Sequence, residues 1–174
     1  KNAIGRFLPH AHDLYSPRAM SFVIKGLYYC NGTVYPEISD AVVIKLSNRL
    51  VQMYRHENHG NWLWYESYLT YANSVLPEAL LCAWLLTHDA VYEQVAKKSF
   101  GFLLDQIFSE GQIHVVSNQT WMHVTERKET ILGGGEQPVD VAYTILALAK
   151  FYDVYRDAEY LEKAEIAFSW FLGN

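Results

Sequence analysis

Three prolines at positions 17, 77 and 138 divide this chain into units of about sixty residues, and each heads a run that is almost wholly apolar. The openings read Pro17-Arg18-Ala19, Pro77-Glu78-Ala79 and Pro138-Val139-Asp140. Proline is tolerated in a helix's first turn because the N–H groups there have no intrahelical acceptor. Each unit then continues into a second helical pattern, and in the last two units it bears a charged stripe, Glu93, Lys97 and Lys98 in one case and Glu159, Glu162 and Lys163 in the other. Apolar helices alternating with amphipathic ones imply three αα-hairpins, the apolar member inside and the amphipathic member outside. No such unit buries its apolar face alone, so the units must stack.

Six helical patterns follow from Ser16 onward. The first runs from a Ser16 cap to about Cys30 and stops at Asn31-Gly32. The second spans about Ile38 to His56, with Val42, Leu46, Leu50, Met53 and Tyr54 on one stripe. The third covers Ser74 to Leu86, and the fourth Ala90 to Phe108 after Asp89. The fifth covers Pro138 to Tyr155, and the sixth Ala158 to Leu172 after Asp157. If the units turn about a common axis, the inner helices all start at one end and their polar first turns converge there. The long connections, His56 to Tyr71 and Glu110 to Glu136, precede inner helices, and connections of that length are usually functional. Within the second, Gln112 to Val116 is expected to pair as a strand with Trp121 to Val124.

Composition removes several classes of function. With 51% apolar residues in 174, one domain over 1–174 can bury its core without disulfide or metal staples. A net charge of -5 and the lack of a basic run exclude a nucleic-acid surface. No apolar run approaches the roughly 20 residues that span a bilayer, and no signal-peptide core opens the chain, so a soluble, cytoplasmic protein is expected. Cys30 and Cys82 lie in apolar helical stretches and read as buried free thiols. The chain begins at Lys1 and ends at Asn174 directly after a helix, which suggests a piece of a longer protein.

Chemistry concentrates before the inner helices. Trp62-Leu63-Trp64-Tyr65-Glu66, with Tyr68, Thr70-Tyr71-Ala72-Asn73 and Glu78, gathers flat aromatics and planar polar groups around one helix start. Sugars present apolar C–H faces and rings of hydroxyls, so a site for them needs both. The bland alternative is that Trp62 and Trp64 plug the end of the helical core. One repeat later, Gly133-Gly134-Gly135-Glu136-Gln137-Pro138-Val139-Asp140 brings glycines that allow close backbone approach, with Glu136, Gln137 and Asp140 aimed at the same mouth. The run lacks the Gly-Lys-Ser/Thr of a phosphate loop. Two carboxylates flanking a glycosidic bond can act as acid and base, which makes Glu66, Glu78, Glu136 and Asp140 the catalytic candidates. Arg18, Trp62, Trp64, Tyr65, Tyr71, Asn73, Trp121, His123 and Gln137 are the expected sugar contacts, and His114 is a weaker one. His56-Glu57-Asn58-His59 lacks the zincin spacing, so no metal and no cofactor are expected. Asn31-Gly32-Thr33 and Asn118-Gln119-Thr120 match the glycosylation acceptor pattern.

Ser16 to Ala19, the Trp-x-Trp-Tyr-Glu-x-x-Leu-Thr-Tyr block from Trp62 to Tyr71, Asn73 with Leu76-Pro77, Glu136-Gln137-Pro138 and Trp170-Phe171-Leu172-Gly173 together resemble the six-hairpin glycosidase-like superfamily. More narrowly, they are similar to uncharacterised bacterial proteins encoded beside or fused to glycosyltransferases. The resemblance implies an (α/α)6 toroid and a saccharide ligand. This chain departs from the family pattern at Ala72, where an acid is common, at Glu78, where Gln is common, and at Glu136-Gln137-Pro138 with Asp140 two residues on, where Gln-Gln-Pro followed by Glu is common. Three hairpins are half of such a ring, so a homo-oligomer or a further chain segment is expected to close it. A carbohydrate-active enzyme, hydrolase-like or epimerase-like, leads the functional expectations. A non-catalytic binding or scaffolding module attached to a glycosyltransferase stands beside it.

Overall fold

The computed structural model describes residues 2–30, 36–117, 119, 121–125 and 135–173. Among them are seven α-helices: α1 (Asn2–Ala11), α2 (Pro17–Tyr29), α3 (Pro36–Glu57), α4 (Val75–Thr87), α5 (Ala90–Ile107), α6 (Pro138–Tyr155) and α7 (Ala158–Ser169). A single 3-10 turn, Trp170–Leu172, follows α7. The chain is all-α, with the helices anticipated from Ser16 onward in place within a few residues. Helix α1 is an addition. Pro9 stands in its last turn, where a proline normally marks the end of a helical pattern.

Local chemistry sets the helix ends. The Ser16 hydroxyl accepts from the Ala19 N–H, and Pro17 is the first residue of α2. Asp89 accepts from the Val91 N–H at 2.9 Å and Asp157 from the Glu159 N–H at 3.1 Å, starting α5 and α7. The turns before them are alike: α4 ends on His88 at φ 58° and α6 on Arg156 at φ 55°, each left-handed residue returning its N–H to a helix carbonyl. Two hairpins therefore share one connection, a left-handed residue followed by a capping aspartate, as a structural repeat requires.

Packing follows the hairpins. Helix α2 lies on α3, α4 on α5 and α6 on α7, while α4 also packs against α2, α3 and α6. Its first nine residues, Val75 to Ala83, are all buried, which explains why that stretch is so apolar. The Phe100 and Phe151 rings meet at 4.3 Å between α5 and α6, and Tyr160 of α7 closes on both. Between α2 and α4 a single ion pair is buried, Lys25 Nζ to Glu78 Oε2 at 2.6 Å. Of the two cysteines, Cys82 is buried as anticipated while Cys30 is only half-buried at the end of α2.

Among the described residues there are four strands of two residues each, and their pairing corrects the expectation. β2 (Phe108–Ser109) pairs with β3 (Gln112–Ile113), and β1 (Tyr68–Leu69) with β4 (Met122–His123), both antiparallel. Gln112–Ile113 thus folds back on the end of α5 and does not reach the Trp121 segment. Glu110 at φ 53° and Gly111 at φ 75° form the left-handed pair that a two-residue hairpin needs, and the local pairing wins. β4 is left to cross to β1. The crossing stitches the loop before α4 to the loop before α6.

Lys25→Met leaves the Glu78 carboxylate buried without its cation and is expected to lower the unfolding free energy by about 3–5 kcal/mol. Adding Glu78→Met should recover most of that loss. Urea unfolding at neutral pH measures both.

Candidate functional site

The site is built around the Arg18 guanidinium, carried by the first turn of α2. Its Nε donates to the Tyr71 carbonyl at 2.6 Å, one terminal nitrogen to Glu66 Oε2 at 2.7 Å, and the other to the Thr70 hydroxyl and to Asn73 Oδ1 at 3.2 Å. The same cation lies 4.9 Å from the centroid of the Tyr71 ring. Asn73 folds back on its own loop, accepting from the Thr70 N–H and donating to the Thr70 carbonyl, both at 3.1 Å. That closes the turn preceding α4.

Helix α6 joins through Asp140, whose Oδ1 accepts the N–H of Ala72, and through Thr144, whose hydroxyl meets that of Ser74 at 2.7 Å. Ala72 holds φ at 48°, a conformation costly for a residue with a Cβ, and there its N–H meets the carboxylate. The starts of α2, α4 and α6 therefore come together at one end of the molecule. Arg18, Glu66, Asn73 and Asp140, all expected there, stand in one connected network.

Other expected members are placed differently. Trp64 and Tyr65 are fully buried and Trp62 is nearly so; Trp62 and Trp64 pack on Phe102, and the Tyr65 hydroxyl bonds Ser99 at 2.8 Å. Their ring faces are spent on the core, which corrects the expectation that they stack on a sugar. Glu78 lies deeper: its partner Lys25 is seven residues beyond Arg18, about 10 Å along the helix axis. Burial pushes the Glu78 carboxyl above its ordinary range, and Lys25 only partly opposes this. Glu78 is thus a core ion pair and not a member of the mouth. Glu136 accepts the Trp170 indole N–H at 2.7 Å and faces His114 at 3.8 Å, tying the start of α6 to the end of α7. Its partners are not those of Glu66 and Asp140.

The accessible aromatics come from another part of the same loops. Tyr68 and Trp121 stack at 5.3 Å across the β1–β4 ladder, Trp121 is 55% exposed, and His123 is exposed beside it. Tyr71 is 54% exposed on the outer side of Arg18. Gln137 is partly exposed, and its side chain caps nothing. Gly135 is exposed, whereas Gly133, Gly134 and both glycosylation-pattern asparagines, Asn31 and Asn118, lie outside the described residues. Tyr68 and Thr70 belong to the expected block but not to the expected sugar contacts, and Thr144 lies outside both. Thr144 could have been found from its spacing, since four residues after Asp140 is the same helix face.

Chemically, Asp140 is the unusual group. It is 6% exposed, and among the described residues its Oδ2 has no hydrogen-bond partner. A cavity of about 10 Å³, room for one water, lies against it, bounded by Asn73, Ser74, Thr144 and an apolar wall that includes Leu103 and Val115. Burial raises its pKa above the ordinary 3.8, against the pull of the Ala72 N–H and Arg18. Cys82 is no nucleophile, since burial pushes its thiol up to about 12. Among the described residues no three His, Cys, Asp or Glu side chains are grouped to hold a metal ion, and no helix is long and apolar enough to cross a membrane.

Because the folded value of Asp140 lies above the unfolded one, the native state holds this proton more tightly. The stability it contributes is full below pH 3.8 and is lost as pH rises through the raised value. Asp140→Asn cannot ionise, so its stability relative to wild type should increase from pH 4 to pH 8 in urea unfolding; a decrease would show that the ionised carboxylate is the stabilised form. No protein-family model, curated protein or solved structure matches the chain.

Proposed function

We propose that this is a carbohydrate-active protein of the α/α-toroid kind, hydrolase-like or epimerase-like, whose saccharide binds where α2, α4 and α6 begin. The observation that carries the proposal is the meeting of three helix starts through Arg18 and Asp140, beside exposed aromatic faces at Tyr71 and at the stacked Tyr68 and Trp121. Flat rings take the C–H face of a sugar, and Gln137 and His123 add polar groups nearby for its hydroxyls. Glu66 is the half-buried carboxylate paired with Arg18, and burial makes Asp140 hold its proton more tightly than an ordinary carboxyl, which suits an acid. Asp140 is closed off by the Ala72 turn, so catalysis requires that turn to open. The resemblance to six-hairpin glycosidases and to proteins accompanying glycosyltransferases supports the same substrate class and a ring closed by a second copy or a further chain segment; a cytoplasmic setting is part of the same proposal.

One observation favours a non-catalytic binding or scaffolding module instead: Glu66, Glu78 and Glu136 are each held by an internal partner, and Asp140 is buried. The aromatic faces would serve that role without any acid or base.

Calorimetry with short oligosaccharides separates these outcomes. Binding should be saturable, and Trp121→Ala should weaken it by about 1–3 kcal/mol, the range for losing a stacking aromatic. Turnover of a glycoside panel that disappears in Glu66→Gln and Asp140→Asn, with binding kept, identifies the enzyme. Binding without turnover identifies the module, and absence of binding across the panel removes both.

A further inference from the structure

Two arginines lie against exposed tyrosine rings, and they are held in different ways. Arg18 faces Tyr71 at 4.9 Å and has a carboxylate, Glu66, to balance its charge. Arg49 of α3 faces Tyr15 at 4.6 Å, and one of its terminal nitrogens donates to the carbonyls of His12 and Leu14 at 2.5 and 2.8 Å. No carboxylate among the described residues pairs with it. Two carbonyls fix a guanidinium in place without neutralising it. The Nε and the second terminal nitrogen have no acceptor among the described residues, so a planar donor edge is positioned and unused.

This half-buried cation lines a concavity of about 230 Å³ with Tyr15, Met20, Gln52 and Met53. Tyr15 comes from the α1–α2 connection and Met20 from α2. Arg49, Gln52 and Met53 share one face of α3, at spacings of three and four residues. No aspartate or glutamate is among the lining residues. Tyr15 is 73% exposed and Gln52 is exposed, so a ligand reaches both from solvent, while Met20 is buried and Met53 half-buried beneath. Each group calls for a particular partner. A guanidinium takes a carboxylate through paired N–H bonds, a tyrosine face takes a flat ring, and thioethers adapt to an apolar body. The volume is below the roughly 300–1,000 Å³ of sites for drug-sized molecules, which limits the ligand to about one ring.

We propose that this concavity is a binding site for a small organic carboxylate, a single ring bearing one carboxylate group that Arg49 receives. Inorganic phosphate would match the charge but leave Tyr15 and both thioethers unused. A neutral ring would cover the apolar wall and leave the guanidinium without an anion. The site shares no residue with the saccharide site proposed above and does not depend on it.

The three methionines supply the test, because Met20 and Met53 line the concavity whereas Met122 lies in the β1–β4 ladder. In a titration of the purified chain with benzoate, followed by NMR of labelled methionine methyl groups, the Met20 and Met53 signals should shift saturably. Half-saturation is expected at about 1 mM, with Met122 unmoved. Benzamide has the same shape without the charge and should bind at least about tenfold more weakly. Gln52→Glu sets a carboxylate one turn from Arg49 at an exposed position and should weaken benzoate by at least about tenfold, with helicity by circular dichroism retained. Tyr15→Ala should weaken it by about threefold to tenfold. Absence of a saturable shift up to about 20 mM would overturn the proposal. So would equal binding of benzoate and benzamide, indifference to Gln52→Glu, or a response of Met122 in place of Met20 and Met53.

Discussion

The arrangement of this end of the molecule depends on the Arg18 guanidinium. A buried cation is costly unless its donors are satisfied, and here every nitrogen has a partner: a carbonyl, a carboxylate, a hydroxyl and an amide oxygen. All four partners come from the eight residues between Glu66 and Asn73. One side chain therefore fixes a loop that has little secondary structure of its own, and it does so from the first turn of another helix. The planar, forked shape of arginine matters, since a lysine would offer a point charge and could not span the same set. Asp140 completes the arrangement from a third helix by holding Ala72 in a backbone conformation that alanine otherwise avoids.

The rest of the fold makes that convergence geometrically available. Hairpins α4–α5 and α6–α7 turn through the same connection, a left-handed residue followed by a capping aspartate. Helix α4, enclosed by α2, α3, α5 and α6, sets the axis on which the other starts line up. The β1–β4 ladder then brings the second long loop across the first, so that Trp121 meets Tyr68 although they are far apart in sequence. Buried ionisable groups deeper in the stack, Lys25 and Glu78 foremost, pair with one another and face away from any ligand chemistry.

Much of this was legible in the chain. Proline spacing, capping aspartates and apolar runs located six helices, because these signals act within a turn or two of the residues that carry them. The convergence of helix starts followed from repetition. Helix α1 was hidden by its own Pro9, and strand pairing was misjudged because alternation says which residues form a strand without saying which partner a tight left-handed turn will select. The aromatic-rich block was read as a sugar platform. Trp62, Trp64 and Tyr65 instead fill the core beside Phe102 and Ser99, and exposure falls to Tyr68, Tyr71 and Trp121. Composition identifies an aromatic cluster, but the packing of α5 against it decides which rings stay outside. In the same way, four carboxylates of similar sequence context divide into a core ion pair, a loop anchor and two members of the Arg18 network, a division set by contacts distant in sequence.

The most direct test of a saccharide site at the helix starts is the set of five tryptophan indole N–H signals followed by NMR during titration with a short oligosaccharide. The account predicts a saturable shift of the Trp121 signal, with the enclosed Trp64 signal unmoved. A titration that leaves Trp121 unchanged while another indole responds, or that moves none of the five, would contradict it.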